Sequence, residues 1–359
     1  MEKVCAVVPV YEVTINGTNV TDDISVYVSQ VEYSDRIEEE SDEVSIILDD
    51  VEGLWQSDWY PSQGDTLTLK MGYPGNMLDC GNFEIDQIEL SGLPDTLTVK
   101  AIAAAITESM RTRNSRAYEK QTLKDIAQFI ADKHGLKLMG DTSRLANIEI
   151  GRKTQDNESD ISFLSGIARR YGIIFSVRGD KMIFLNPEDL EKEDAIAAFN
   201  RYQISTYSFK DKTSDTYWEA TVSQRDIKTN TVQKWSVQSS GDPTKQDTIV
   251  VGGRVENANQ AEAVTEGAIR EMNRDKLTGR FTTEGNPLLV AGANVDMEGF
   301  GAFSGKWTIR ESTHRISADT GYTTEVSIRK GPYKKTFEKV TTGRNESGQV
   351  NWAKKIGLQ

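Results

Sequence analysis

Histidine and cysteine are nearly missing from this chain, with two of each in 359 residues. A zinc or serine hydrolase needs one to three well-placed imidazoles. His134 and His314 lie far apart in sequence, so no catalytic centre, metal or cofactor is assigned. Cys5 and Cys80 cannot build a disulfide framework, which points to folding in a reducing cytoplasm. Long apolar runs are also lacking. The longest, residues 101–106, falls far short of the ~18 residues of a membrane span. One early lysine and no extended apolar stretch at the start predict neither a secretory leader nor a membrane anchor.

Basic residues are scarce at the front of the chain. Residues 1–99 hold 21 acids against only Lys3, Arg36 and Lys70, whereas 100–329 are neutral and 330–359 carry seven bases and two acids. The formal charge of −13 therefore divides into an acidic first part, a neutral body and a basic tail. A nucleic-acid binder needs a basic surface to neutralise phosphates, and this acidic start disfavours one. The run Asp35–Glu43, with Glu38, Glu39, Glu40, Asp42 and Glu43, reads either as a solvated loop or as a functional acidic surface.

What is present is mostly short strands. Residues 11–18 alternate and end on an Asn-Gly turn, Ile24–Tyr33 alternates with one phase shift, and Val44–Leu48 follows. From about 100 the period changes. Gln121–His134 reads as a helix with a Thr122/Asp125 capping box and Gly135 at its end. Ser159–Tyr171 reads as a second helix that turns Leu164 inward, and 173–185 as a hairpin through Gly179-Asp180. Strands resume near Ile204, broken by a helix over Ala258–Lys276 with Ala261, Val264, Ala268 and Met272 inward. The expected fold is mainly β with an α+β insertion. Its units are 1–107, a first barrel-like unit; 108–200, the insertion; 201–330, a second barrel-like unit; and 331–359, a basic tail.

The two β-rich parts share a pattern. Gly64-Asp65 leads into Leu67 and Leu69, Gly81-Asn82-Phe83-Glu84-Ile85 follows, and Leu97-Thr98-Val99 closes. Later, Gly292 leads into Val295 and Met297, Gly305-Lys306-Trp307-Thr308-Ile309 follows, and Glu325–Ile328 closes. Three elements in the same order point to an internal duplication.

These residues carry a resemblance. Gly305-Lys306-Trp307-Thr308-Ile309, then His314-Arg315-Ile316, then Gly321-Tyr322-Thr323-Thr324, resembles the closing motif of the phage late control protein D family. Gln155–Leu164, including Phe163 and Leu164, with Ala168-Arg169-Arg170-Tyr171-Gly172, is similar to that family's central motif. The resemblance spans roughly 5–330. It implies a hub of contractile phage tails and tail-like bacteriocins, similar to the hub part of type VI secretion spike proteins. It further implies a homotrimer whose six related units adapt a sixfold tail tube protein to a threefold central spike protein. The tape-measure and baseplate wedge proteins are further implied partners, and DNA would only pass through the channel. The implied location is the virion tail baseplate or a tail-like particle assembled in the bacterial host cytoplasm. On this reading the acids at 38–43 would line the channel, and Lys330, Lys334, Lys335 and Lys339 would dock a baseplate neighbour.

Other sites read as architecture. His314 lacks a matched acid or nucleophile and reads as a satisfied strand histidine. His134 suits a helix C-terminus. Gly299-Phe300-Gly301 lacks the lysine and helix of a phosphate loop. Asp156, Glu158 and Asp160 lack the glycine and distal glutamate of a calcium loop. A cell-wall hydrolase or glycan-binding tail protein, and a host-surface adhesin, stand as alternatives without direct sequence support.

Overall fold

A computed structural model describes residues 7–37, 41–104, 108–212, 216–226, 231–238, 247–253, 255, 257–330 and 336–342. The first segment opens with β1 (Val10–Ile15) and β2 (Thr18–Asn19). Asn16 and Gly17 both take positive φ between them, as a two-residue hairpin turn requires. A one-turn helix α1 (Thr21–Ile24) precedes β3 (Val28–Arg36) and β4 (Glu43–Asp49). The strand expected from Ile24 thus begins only at Val28. The Asn19 side chain accepts the Thr21 N–H at 2.9 Å and starts a helical turn instead. The strands β5 (Thr66–Tyr73), β6 (Asn76–Ser91) and β7 (Thr96–Ala103) complete this part. Their inward side chains, among them Val31, Leu69, Phe83 and Leu97, form one core.

The middle section runs α2 (Glu108–Arg111), β8 (Arg113–Thr122), α3 (Leu123–Lys133), β9 (Lys137–Gly140), α4 (Thr142–Ala146), β10 (Glu149–Ser159) and α5 (Asp160–Arg170). It ends with the hairpin β11 (Ile174–Arg178) and β12 (Lys181–Leu185), then α6 (Pro187–Lys192). The Thr122/Asp125 capping box is formed in full, and Ser159 caps α5 by accepting the Ser162 N–H at 3.2 Å. Phe163 and Leu164 point into the core of this section.

The rest comprises β13 (Ala195–Phe199), β14 (Ile204–Asp211), β15 (Glu219–Asp226), β16 (Thr231–Gln238), β17 (Thr248–Val250), α7 (Ala258–Asn273), β18 (Leu277–Glu284), β19 (Asn294–Met297), β20 (Gly305–Ser317), β21 (Gly321–Arg329) and β22 (Thr336–Thr342). The sheet path β5-β6-β7-β4-β3 is repeated, strand for strand and all antiparallel, by β19-β20-β21-β18-β14. The irregularities repeat as well. Pairing slips at Asp86 in β6 and at Arg310 in β20, and again between Val28 and Gln30 in β3 and between Ile204 and Thr206 in β14. Gly64 donates to Ile85 O at 2.9 Å while Gly292 donates to Ile309 O at 2.9 Å. Both glycines hold positive φ, where a Cβ would be strained. Each bulge also shifts the side-chain phase. In β20 the buried set passes from Trp307 and Ile309 to Ser312, His314 and Ile316.

Two barrel-like units were expected, and the strands of both are present as two halves of one 13-stranded sheet. No closed barrel forms among the described residues; the halves join edge to edge through β3 and β20. Packing also groups the later elements differently from the expected division. A four-stranded sheet, β17-β15-β16-β22, lies against α7. Val222, Trp235, Ala261 and Val264 from these elements share the core of the α+β section. β15, β16, β17 and α7 therefore form a second excursion, entering between β14 and β18 where the first half has only residues 37–42 between β3 and β4, and β22 joins its sheet from beyond β21. Met272, expected inward, is exposed; Ile269 is buried in its place. Periodicity defines a helix face, but the facing element decides how wide that face is.

The two excursions meet where Gly172 follows α5 and Gly267 sits in α7. A Cβ on Gly267 would lie 2.5 Å from Arg170 O and 2.6 Å from Gly172 N. Gly267→Ala should cost about 1–3 kcal/mol through overpacking. Denaturant unfolding is the check; an unchanged midpoint would mean the two excursions do not pack this tightly.

Candidate functional site

Of the residues singled out in the sequence, His314, Tyr322, Thr324, Asp42 and Glu43 lie at or beside the β3–β20 seam. Its antiparallel register sets Arg36 opposite Glu311, Tyr33 opposite His314 and Glu32 opposite Arg315. Arg36 Nε reaches Glu311 at 2.8 Å, and Arg315 Nη2 reaches Glu32 at 2.7 Å. Each such partly exposed pair is worth only about 0.2–1 kcal/mol. Their value lies in register, because a slipped pairing would separate both.

Between the two ion pairs lies His314, with no exposed surface. Its Nε2–H donates to Leu289 O at 3.0 Å, which leaves Nδ1 to accept from the Tyr322 hydroxyl at 2.8 Å. Thr324 Oγ1 stands 3.3 Å from the same nitrogen and accepts the Asn286 N–H at 3.0 Å. Tyr33 stacks on the imidazole with centroids 6.2 Å apart. Burial lowers the His314 pKa to about 4, so the ring is neutral at neutral pH. Burial likewise pushes the Tyr322 phenol up. The His-x-Ile…Gly-Tyr-x-Thr element therefore has a physical content: a neutral histidine with both nitrogens satisfied, closing the seam.

Asp35 is the third component. Its carboxylate accepts from Arg178 Nη2 at 2.6 Å and from the Ala291 N–H at 2.7 Å. It thereby ties β3 to the α+β hairpin and to the loop before β19. Burial pushes the Asp35 carboxyl up, against the opposing pull of Arg178. Asp42 also turns into this cluster: it accepts the Arg36 N–H at 3.0 Å and lies 4.0 Å from Arg178 Nε. Glu43 is partly exposed, 3.9 Å from Arg36. Glu38, Glu39 and Glu40 lie outside the described residues.

Gly305 begins β20 with φ +104, and Trp307 is buried with its Nε1 donating to Phe303 O at 2.9 Å. Gly321, φ +66, makes the turn into β21. Lys330 is engaged within the chain: Nζ donates to Ser304 O at 2.8 Å and lies 5.6 Å from the Trp307 ring centre. Lys339 belongs to β22, while Lys334 and Lys335 lie outside the described residues.

One cluster escaped sequence reasoning. Ser109 Oγ lies 3.1 Å from His134 Nδ1, and His134 Nε2 lies 2.8 Å from Asp160 Oδ2. Lys133 binds the same carboxylate oxygen at 2.7 Å, and Gln155 holds the other at 2.8 Å. Burial alone would raise the Asp160 pKa, but these hydrogen bonds hold it below the ordinary value. The cation on Asp160 makes this a pin between the end of α3 and the start of α5. The only signal for it was His134 at a helix end. Among the described residues no group of three or more His, Cys, Asp or Glu side chains is placed to hold a metal. No helix among them is long and apolar enough to cross a membrane.

Comparison with known proteins gives a consistent picture. The family model of the phage tail baseplate hub (GPD) matches residues 86–320. A probable baseplate hub protein of Escherichia phage 186 is 31% identical over 178 residues, 49% of this chain and 45% of that protein. The chain thus matches about half the length of that relative. The 43 kDa tail protein of prophage MuSo2 from Shewanella oneidensis is similar in fold, with TM-score 0.68 at 13% identity. That match covers 89% of this chain and 98% of the other. An Escherichia coli component of the type VI secretion system aligns with TM-score 0.52 at 14% identity, over 86% of this chain and 74% of the other.

Two predictions follow from the seam's chemistry. Arg178→Met should cost about 3 kcal/mol by leaving Asp35 buried and unpaired. Adding Asp35→Asn should recover part of that loss in a double-mutant cycle; strict additivity would deny the coupling. For His314 the unfolded imidazole titrates near 6.5 and the folded one near 4. Stability should therefore fall as pH drops from 6.5 to 4, by about 3 kcal/mol from this group. His314→Gln should lose that part of the slope in pH-dependent thermal unfolding, whatever its own baseline stability.

Proposed function

Since the chain belongs to the phage tail baseplate hub (GPD) family, we propose that three copies form a ring that joins a sixfold tail tube to a threefold central spike. The observation that carries this reading is the duplication of the large sheet, bulge for bulge, within one chain. Three chains then present six similar halves around one axis, which can face a sixfold tube, while the chain as a whole keeps threefold symmetry for the spike. The partners are the tail tube protein and the central spike protein, with tape-measure and baseplate wedge proteins as further neighbours. The site of action is the tail baseplate of a virion or tail-like particle. The role is structural, and the buried histidine, aspartate and arginine described above serve geometry.

The ring encloses a channel through which DNA passes without specific binding. The acid-rich first 99 residues suit such a passage, because negative charge repels phosphates. Glu43, partly exposed at the seam, and the run 38–40 are the candidates for the channel wall, whereas Asp42 is occupied in the seam.

Native mass of the purified chain, alone and with its spike partner, tests the reading. The expected species is three times the 40.0 kDa chain mass in at least the mixed sample. A monomer in both samples would sink the ring.

A further inference from the structure

The connection from β4 to β5, residues 50–65, is longer than its counterpart in the second half, residues 285–293 between β18 and β19. Each loop plugs the core of its half with one buried side chain, Trp55 in the first and Leu289 in the second. The shorter loop shows that the fold needs no more. What the longer one adds is exposed: Trp59 is 44% and Tyr60 56% accessible, and 285–293 contains no aromatic residue. Hydrogen bonds bring two further segments to the same place. The Asp49 N–H donates to Tyr27 O at 2.7 Å, the Asp50 N–H to Asp95 O at 2.9 Å, and Gln56 Nε2 to Asp95 Oδ2 at 3.3 Å. Val26, Val51 and Leu93, all largely exposed, therefore stand at this same end of the sheet. A group of exposed apolar side chains marks an interaction surface where a single one does not.

Charge and hydrogen bonding narrow the partner. The segments that meet here, 20–28, 49–65 and 91–96, hold eight acids and no base. Among them is a buried pair whose hydrogen bonding is incomplete. Asp50, 2% exposed, accepts the Trp55 N–H through Oδ1 at 2.9 Å, while its Oδ2 and the Nε1 of Trp55, 6% exposed, have no partner among the described residues. Buried polar atoms are ordinarily satisfied. Trp55 touches Tyr27 and Trp59, with ring centres 5.8 and 5.4 Å apart. Arginine suits all of these features, since its guanidinium donates to a carboxylate, lies against aromatic rings and carries the opposite charge. A glycan would need broad ring faces to stack on, whereas these rings stand at 81° and 82° to one another.

We propose that this end of the first half docks a protein segment that presents arginine between apolar side chains. Asp50, Trp55 and Trp59 receive the guanidinium, and Val26, Val51 and Leu93 receive its apolar flanks. The eight acids steer such a segment in and reject an acidic one. The surface occurs once in each chain and holds whatever the number of chains in the assembly.

The test follows the six tryptophans of the full chain by fluorine NMR after labelling with fluorotryptophan. Trp55→Phe and Trp59→Phe assign the two resonances of interest. The probes are a blocked Leu-Arg-Leu-Arg-Leu peptide, a blocked Leu-Glu-Leu-Glu-Leu peptide and an N-acetylglucosamine oligomer. The expected result is that the arginine peptide shifts both resonances saturably, about tenfold more tightly than the glutamate peptide, and more weakly as salt is raised. Glu52→Lys/Asp58→Lys changes two exposed side chains and should weaken the arginine peptide about tenfold while leaving the spectrum of the free protein in place. An equal response to both peptides, a response to the sugar alone, no response at all, or unchanged affinity in Glu52→Lys/Asp58→Lys overturns the proposal.

Discussion

Antiparallel pairing of β3 with β20 is the interaction on which the rest of the molecule depends. It joins residues nearly three hundred positions apart and turns two half-sheets into one. A long-range strand pair has a high closure cost, and backbone hydrogen bonds alone do not choose its register. Here the choice is made by side chains. Two opposed ion pairs flank a dry centre where Tyr33 lies on His314, and His314 is in turn held by Leu289 and Tyr322. Asp35, Arg178 and the Ala291 amide then fasten the α+β section to the same line.

The duplicated halves differ in what they carry rather than in how they are built. The same five-strand path, the same bulges and the same glycine turn recur. Between β14 and β18 the second half admits α7 and three strands of a four-stranded sheet, whose fourth strand, β22, follows β21; between the halves lies the α+β section. These two excursions share one core, with Trp235 and Val264 packed among Phe163 and Leu164. Apolar side chains of each excursion are thus buried against the other.

Two polar clusters in this protein look at first like chemistry. Ser109, His134 and Asp160 are in line, and His314 is dry beside a tyrosine. In both cases every polar atom of the ring has a partner, and in the first a lysine neutralises the acid. Such satisfied networks specify a geometry. The Ser109 and Asp160 partners of His134 were not legible in the sequence, because they come from different elements.

Local features were legible in the sequence because they act over a few residues. The Thr122 capping box, the Gly179 hairpin, the Asn16-Gly17 turn and the order of the duplicated strands each depend on nearest neighbours and on period. The closing motif was legible as a pattern, with its histidine placed in a strand. Which elements face each other was not. Periodicity showed α7 to be amphipathic but not that it packs on the α+β section, nor that Met272 stays outside while Ile269 goes in. The sequence by itself determined the elements, their repetition and the polarity of their faces. Only the tertiary structure decided that the two halves share one open sheet and that Asp35 meets Arg178, because pairing partners far apart in the chain are selected by complementary surfaces that exist only once both sides have folded.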